Sequence, residues 1–413
     1  MNVGESFLGR SFARRTHKEG KAIIQVASLF NQLLQHFPRT EFGALVRENN
    51  AERCAKGFGC WTQLVSMLFC QLAHADSLRE ICNGLGCCLG KLVHLGIGKA
   101  PNKSTLSYAN EHRPAKLYED LFYTALQRFR DEEGLGPRKK KFRFKNQLLS
   151  LDSTTISLCL KLFPWAKFRR TKGGVKAHVL LDHEDYLPRY VLLTEAKCSD
   201  LKMVDAFPLN PGSIVAMDRG YNDYWLFGKW TVEEIYFVTR LKENAAYDVV
   251  EQCAVPQDRN IRSDQLIRFT GAQAQKDCPC LLRRVVVWDV VNQREIELLT
   301  NLIAFGATTI AAIYKDRWEI ELFFKALKQN LKVKSFVGTS ENALRIQIWT
   351  ALIAILLLKW LHHLSKAKWS LSNLASMLRL NLFTYRDLRK WLDDPFQTPP
   401  LLPESEQLTL ALA

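Results

Sequence analysis

The chain has 413 residues, with 57 Lys and Arg against 42 Asp and Glu, a formal net charge of +15. At about 150 residues per domain this leaves room for two or three domains with substantial cores. A hydrophobic content of 47% with 24% charged residues excludes a disordered or fibrous chain, and the positive excess favours a polyanionic partner.

The opening MNVGESFLGRSFARR holds no apolar stretch of signal-peptide length, so secretion is not expected. Residues 20 to 130 predict helices. Ile23, Val26, Leu29, Phe30, Leu33 and Leu34 recur at three- and four-residue steps, and a second helical stretch runs from Trp61 to Leu72. Asp76 or Ser77 is the expected N-cap of a short helix that begins SLREI, and Pro101 to Ser107 looks like another helix start. These two short helices fit either a helix-turn-helix reader or a plain bundle, and the long glycine-rich connection between them argues for the bundle. The eleven cysteines form no C-x-x-C pair, so reduced thiols are expected rather than a zinc site or a disulfide framework.

Gly134, Gly136 and Pro137 break the helical pattern within a boundary at 131–145. From Arg138 to Lys176 there are twelve Lys and Arg against one acid, Asp152, with Phe142, Phe144, Trp165 and Phe168 interleaved. A solvated linker is the plain reading, but basic and aromatic residues together suit a nucleic-acid backbone groove better. The candidate contacts are Lys139, Lys140, Lys141, Arg169, Arg170, Lys172 and Lys176, with Arg219 further along.

The pattern then turns to β. The run 148–156 ends in an acid and hydroxyls, 175–181 and 190–194 read as a strand pair joined through His183-Glu184-Asp185, and 213–218 is a buried-type strand ending in Asp218. Strands are expected from about 245 to 302, and one long helix from about Thr308 to Leu331. The last eighty residues read as helical. Their apolar run from Ile348 to Leu358 would extend about 16 Å, half a bilayer's hydrocarbon, which predicts a buried core helix and no membrane association.

Asp152 and Asp218 each lie at or near the end of a buried-type strand, where a carboxylate is costly unless something positive meets it. Two such acids on separate strands suggest a shared cation, and oxygen-only ligands favour magnesium or manganese. On a helix, Arg317, Glu321 and Lys328 fall within about 60° of Tyr314, beside the core face of Ile313, Ile320, Phe324, Leu327 and Leu331. An amphipathic edge with ordinary Arg317–Glu321 pairing would look the same, but the two upstream aspartates favour a site. Three carboxylates with two metal ions are the parts of phosphodiester cleavage, and Tyr314, Arg317 and Lys328 would supply donors for a phosphate.

The helix segment YKDRWEIELFFKALK carries Tyr-(2)-Arg-(3)-Glu-(6)-Lys in full, and LLSLDST and IVAMDRGYND are similar to the two aspartate boxes of the same group. Over residues 145 to 360 the chain resembles a DDE transposase of the insertion-sequence-four family. Its N-terminal part, through SLREICNGL and NKSTLSYANEHR, resembles the helical domain preceding the core in one branch of it. The resemblance implies an α/β fold, a ribonuclease-H-like mixed sheet flanked by helices with a β-strand insertion, set between a helical N-terminal domain and a helical C-terminal region. It implies Asp152, Asp218 and Glu321 as catalytic metal ligands holding two Mg2+ or Mn2+ ions, and Tyr314, Arg317 and Lys328 as phosphate contacts. The 102 residues between Asp218 and Glu321 leave space for the insertion. Relatives use an aromatic residue there to stack a flipped base. Trp288 is the candidate, though its valine neighbours leave a core position open.

The expected organisation is a helical DNA-binding domain over 1–130, a basic linker over 131–145, the catalytic domain over 146–340 with its insertion at about 245–300, and a helical region and tail over 341–413. The expected partners are double-stranded DNA, as terminal inverted repeats and target, and a second copy in a homodimeric synaptic complex. The expected location is the bacterial cytoplasm, at the nucleoid. A nuclease of the same fold without strand transfer and a non-catalytic DNA-binding regulator are the alternatives.

Overall fold

The computed structural model describes residues 27–400 except 54, 89, 137–140, 170–171, 258 and 334. Ile23, Val26, Lys139, Lys140 and Arg170 therefore lie outside the described residues.

Six helices come first: α1 (Leu29–Leu34), α2 (Arg39–Glu48), α3 (Cys60–Ala73), α4 (Leu78–Gly86), α5 (Lys103–His112) and α6 (Lys116–Asp131). The Ser28 and Ser77 side chains cap α1 and α4 by accepting from the Asn31 and Glu80 amides. Between α4 and α5 the chain runs through residues 87–102, with Gly90 and Gly96 in the left-handed region. A helix-turn-helix joins its helices by a turn of only about 3–4 residues.

Ten strands build one sheet: β1 (Leu148–Leu158), β2 (Lys167–Arg169), β3 (Lys172–Asp182), β4 (Leu187–Glu195), β5 (Ile214–Met217), β6 (Tyr236–Arg240), β7 (Tyr247–Gln252), β8 (Ile261–Phe269), β9 (Leu282–Asp289) and β10 (Arg294–Thr300). β4, β3 and β1 pair antiparallel, whereas β1, β5 and β6 pair parallel. This is the ribonuclease-H-like order. β10, β9, β8 and β7 extend the sheet beyond β6 as an antiparallel meander.

The remaining helices are α7 (Asp200–Met203), α8 (Tyr224–Val232), α9 (Ala272–Asp277), α10 (Ala307–Asp316), α11 (Trp318–Asn330), α12 (Glu341–Leu364), α13 (Leu371–Asn381) and α14 (Leu388–Asp393). Alternation along β1 decides which face each residue meets. Leu149 and Leu151 join Phe227 and Trp230 of α8 on one face, and Leu148 joins Ile310 and Ile313 of α10 on the other. Ile156 and Leu158 enter the largest core with Phe323 of α11, the apolar face of α12, and the N-terminal helices. α12 is long and apolar enough to cross a membrane, yet 89% of its most apolar window is buried inside the protein. Its one interrupting hydroxyl, Thr350, bonds back to the Ile346 and Gln347 carbonyls.

Two expected elements take a different form. β1, expected over 148–156, runs on to Leu158 and carries Asp152 in its middle, because its second half stays paired with β3 after leaving β5. The helix expected over 308–331 is broken at Arg317 into α10 and α11. There the bonding is mixed: the Arg317 amide keeps the regular bond to the Ile313 carbonyl at 3.2 Å and also reaches the Tyr314 carbonyl at 3.3 Å, while the Ile320 amide reaches the Arg317 carbonyl at 3.2 Å.

Candidate active site

The last parallel rung between β1 and β5 joins Leu151 to Met217. Asp152 and Asp218 are the next residues on each strand, so both stand where the two strands part. Asp152 remains in β1, and the Ser153 amide donates to its Oδ1 at 2.7 Å. Asp218 begins a 3₁₀ turn over Arg219–Tyr221. That turn is fixed from behind: the Thr239 hydroxyl donates to the Asn222 Oδ1 at 2.9 Å, and Asn222 Nδ2 donates to the Arg240 carbonyl at 2.6 Å.

The helix break delivers the rest. Arg317 is only 8% exposed, and its two terminal nitrogens face different carboxylates. Nη2 donates to Glu321 Oε1 at 2.8 Å, and Nη1 lies 3.9 Å from Asp152 Oδ2. The guanidinium carbon sits 5.5 Å over the Tyr314 ring. Lys328 Nζ donates to Thr154 Oγ1 at 2.5 Å and to the Thr155 carbonyl at 3.3 Å. Arg317 and Lys328 thus reach the face of β1 that carries Asp152 and Thr154, and Glu321 and Tyr314 lie against Arg317.

Burial pushes the Asp152 carboxyl up to about 6; the Ser153 amide and Arg317 oppose this, and the Asp218 and Glu321 charges add to it. The three acids therefore share one electrostatic neighbourhood. They do not close on a common point: among the described residues no three His, Cys, Asp or Glu side chains gather as a metal site. The Arg317 guanidinium lies between Asp152 and Glu321 and supplies positive charge to both. The acids' donor set, three oxygen-only carboxylates, fits a hard divalent ion.

The basic candidates are placed unevenly. Lys141 is exposed but bonds to the buried Asp316. Arg169 and Lys172 are exposed on β2 and β3. Arg219 pairs with Glu243 at 2.8 Å. Lys176 is mostly enclosed, held by Asp200 Oδ1 at 3.2 Å and the Cys198 carbonyl at 2.9 Å. Trp288 is half-buried on β9, outside the core, with the Arg262 guanidinium 5.5 Å from its ring.

Several residues near the site were not singled out from the sequence. Asp200 meets Lys176 and the buried His178, whose Nδ1 is 3.3 Å away. Burial works against the Asp200 charge, yet bonds from His178, Ser153 and Lys176 hold its carboxyl well below the usual range. His178 is paired across the sheet with Ser153, next to Asp152. Ser150, His183 and Asp316 form a second chain of contacts two residues before Asp152. The only local signal was His183 at a strand joint.

A ribonuclease-H-like sheet that brings two strand aspartates and a helix glutamate to one neighbourhood belongs to the DDE class of DNA-cutting and DNA-joining enzymes. Residues 143–357 match the family described as Transposase DDE domain, and the chain belongs to that family. Residues 25–98 match a domain of unknown function (DUF4372). The chain is 31% identical over 296 residues to the putative transposase y4zB of Sinorhizobium fredii, covering 70% of this chain and 80% of that protein. It is 32% identical to the probable transposase for insertion sequence element IS5377 of Geobacillus stearothermophilus, covering 57% of this chain and 62% of that one. It is 27% identical to the putative transposase for insertion sequence element IS4SA of Synechocystis, covering 64% and 73%. A solved piggyBac transposase synaptic complex with hairpin DNA has a TM-score of 0.40 at 10% identity over 90% of this chain and 83% of that one, a loose likeness without functional weight. The protein is an insertion-sequence DDE transposase, an enzyme acting on DNA, of a family that uses divalent metal ions.

Folded Asp152 titrates near 6, above its ordinary 3.8, so folding penalises its charge fully above pH 6 and not below about 4. In metal-free buffer, Asp152→Asn should therefore raise stability at pH 8 by about 1–3 kcal/mol. The gain should vanish as pH falls from 6 to 4. Denaturant unfolding of both proteins at pH 8 and pH 4 checks the sign and the window.

Proposed function

We propose that this transposase binds the terminal inverted repeats of its own insertion sequence and performs cut-and-paste transposition, with Asp152, Asp218 and Glu321 as the catalytic residues. The observation that carries the reading is the position of Arg317, within 4 Å of Asp152 and Glu321 at once, beside the point where β1 and β5 part. Such an arrangement is costly for mere helix stability. Enclosing a guanidinium with two carboxylates desolvates all three groups, whereas an exposed Arg–Glu pair would stabilise the same helix without that burden.

Asp152, Asp218 and Glu321 hold two Mg2+ or Mn2+ ions in this reading, and bound ions supply charge stabilisation for in-line displacement at phosphorus. Each step exchanges one P–O bond for another: a water or a 3′-hydroxyl oxygen attacks, and the leaving oxygen departs opposite it. Arg317, held between Asp152 and Glu321, would donate to a DNA phosphate brought to the site. Tyr314 supports the guanidinium from below, and Lys328 sets charge beside Thr154. The helical region over 1–130 acts in end binding, and the basic linker over 131–145 leads DNA toward the catalytic domain over 146–340 and its insertion. The helical region over 341–413 holds these parts together. Lys139, Lys140, Lys141, Arg169, Arg170, Lys172 and Arg219 contribute to the DNA track. Lys176 contributes through Asp200, and Trp288 stacks a displaced base. A homodimer pairs the two element ends in the cytoplasm, at the nucleoid.

Asp152→Asn, Asp218→Asn and Glu321→Gln should each abolish strand cleavage in Mg2+ while DNA binding persists. Arg317→Ala should slow cleavage by at least about tenfold. Cleavage of a plasmid carrying the gene with its flanking DNA measures both. Retained cleavage by an acid variant would refute its assignment, and a loss below threefold would remove Arg317 from the site.

Neutralising Lys139, Lys140 and Lys141 together should lower the slope of log affinity against log salt by about one for each phosphate that the variant no longer neutralises. Binding titrations at several salt concentrations read this directly. An unchanged slope would leave the segment a solvated linker.

A further inference from the structure

Three alternate residues of β1 face α10 and α11, and each is engaged. Thr154 meets Lys328, and Asp152 meets Arg317. Ser150 meets a chain that the chemistry above leaves unused. Its hydroxyl donates to His183 Nε2 at 2.6 Å, and His183 Nδ1–H donates to Asp316 Oδ2 at 2.6 Å. Lys141 bonds the other oxygen of Asp316, and the Tyr186 hydroxyl donates to Oδ2 at 3.4 Å. Burial works against the Asp316 charge, yet His183 and Lys141 outweigh it and hold the carboxyl below its usual range.

The order Ser-His-Asp suggests a nucleophile, but Ser150 is 0% exposed. A cavity of about 320 Å³ opens against His183 and Asp316, and Ser150 does not line it. No substrate can reach that hydroxyl, so the triplet is not a second hydrolytic centre.

What the triplet holds is the residue just before Arg317. Sharp helix breaks arise at proline, at glycine, or where side chains intrude, and the segment IAAIYKDRWEIE contains neither proline nor glycine. Arg317 itself keeps helical dihedrals, φ −51° and ψ −29°. The cause therefore lies in the side chains. Adjacent residues on a regular helix diverge by about 100°; here Asp316 is tied to β1 by way of His183 and Ser150, while Arg317 lies beside Asp152 directly. Extra i→i+3 contacts at Tyr314 and Arg317 mark the joint, beside the retained bond from the Arg317 amide to Ile313.

We propose that Ser150, His183 and Asp316 are positioning residues for the transposase reaction. They pin the end of α10 to β1 and thereby fix the break that aims Arg317 at Asp152 and Glu321. This rests on the reading that Arg317 belongs to the reaction site.

The test is a double-mutant cycle in the full-length protein, using the plasmid cleavage rate, DNA affinity and thermal stability. His183→Ala should slow cleavage at saturating DNA by about tenfold, with affinity within about twofold. On an Arg317→Lys background, which keeps a cation at reduced reach, His183→Ala should cost less than about twofold more, because the lost positioning has no further effect. His183→Asn keeps an amide donor toward Asp316 and should recover most of the lost rate. It also serves should His183→Ala fail to fold, when a His183→Asn rate no better than that of Asp316→Ala would count against the proposal. Wild-type cleavage by His183→Ala while Arg317→Lys is slow would overturn the positioning role alone. Equal losses on both backgrounds would do the same, marking His183 as an ordinary fold stabiliser. Wild-type cleavage by both Arg317→Lys and Arg317→Ala would overturn the site reading, and the positioning role with it.

Discussion

Negative charge in a half-enclosed place organises this protein's centre. Asp152 is buried enough for its carboxyl to rise to about 6, and Asp218 and Glu321 add repulsion from two directions. Such a cluster needs a cation, and in this structure the cation is the Arg317 side chain. Much of the surrounding architecture serves that demand. The parting of β1 from β5 sets the aspartates side by side, the helix break brings Arg317 down to them, and Thr239 and Asn222 brace the turn after Asp218 from the far side of β6.

The chemistry was legible in the sequence to the extent that it is local. Tyr314, Arg317, Glu321 and Lys328 share one helical stretch, so their spacing reveals a common face. Asp152 and Asp218 each follow an apolar run that only a buried strand explains. The boundaries were less legible. The run expected over 148–156 came within two residues of the end of β1, but nothing in it signals that the strand leaves β5 after Leu151 and stays paired with β3, which comes later in the chain. The break at Arg317 was equally hidden, because it comes from contacts across the fold rather than from a breaking residue. Ser150 and His183 are 33 positions apart along the chain, His183 and Asp316 are 133 apart, and no periodicity joins them. Asp200, His178 and Lys176 escaped for the same reason, and the enclosure of Lys176 by Asp200 could not be read from a count of basic residues.

The N-terminal helices also answer to long-range packing. They share one apolar core with α12 and with the Ile156 and Leu158 end of β1. α12 looks like a membrane span by length and composition, and it is instead the hub against which α3, α5, α6 and α13 pack. Buried Gln347 on this helix ties the α11–α12 connection down through the Lys332 and Ser335 carbonyls.

The central claim is that Asp152, Asp218 and Glu321 jointly demand a cation, which Arg317 supplies until divalent ions do. Titration of Mn2+ by electron paramagnetic resonance into the full-length protein with a double-stranded DNA end tests it most directly. The account predicts tight Mn2+ sites in the wild type that are lost or greatly weakened when any one of the three acids is replaced by its amide. Tight Mn2+ binding that survives all three substitutions would contradict it.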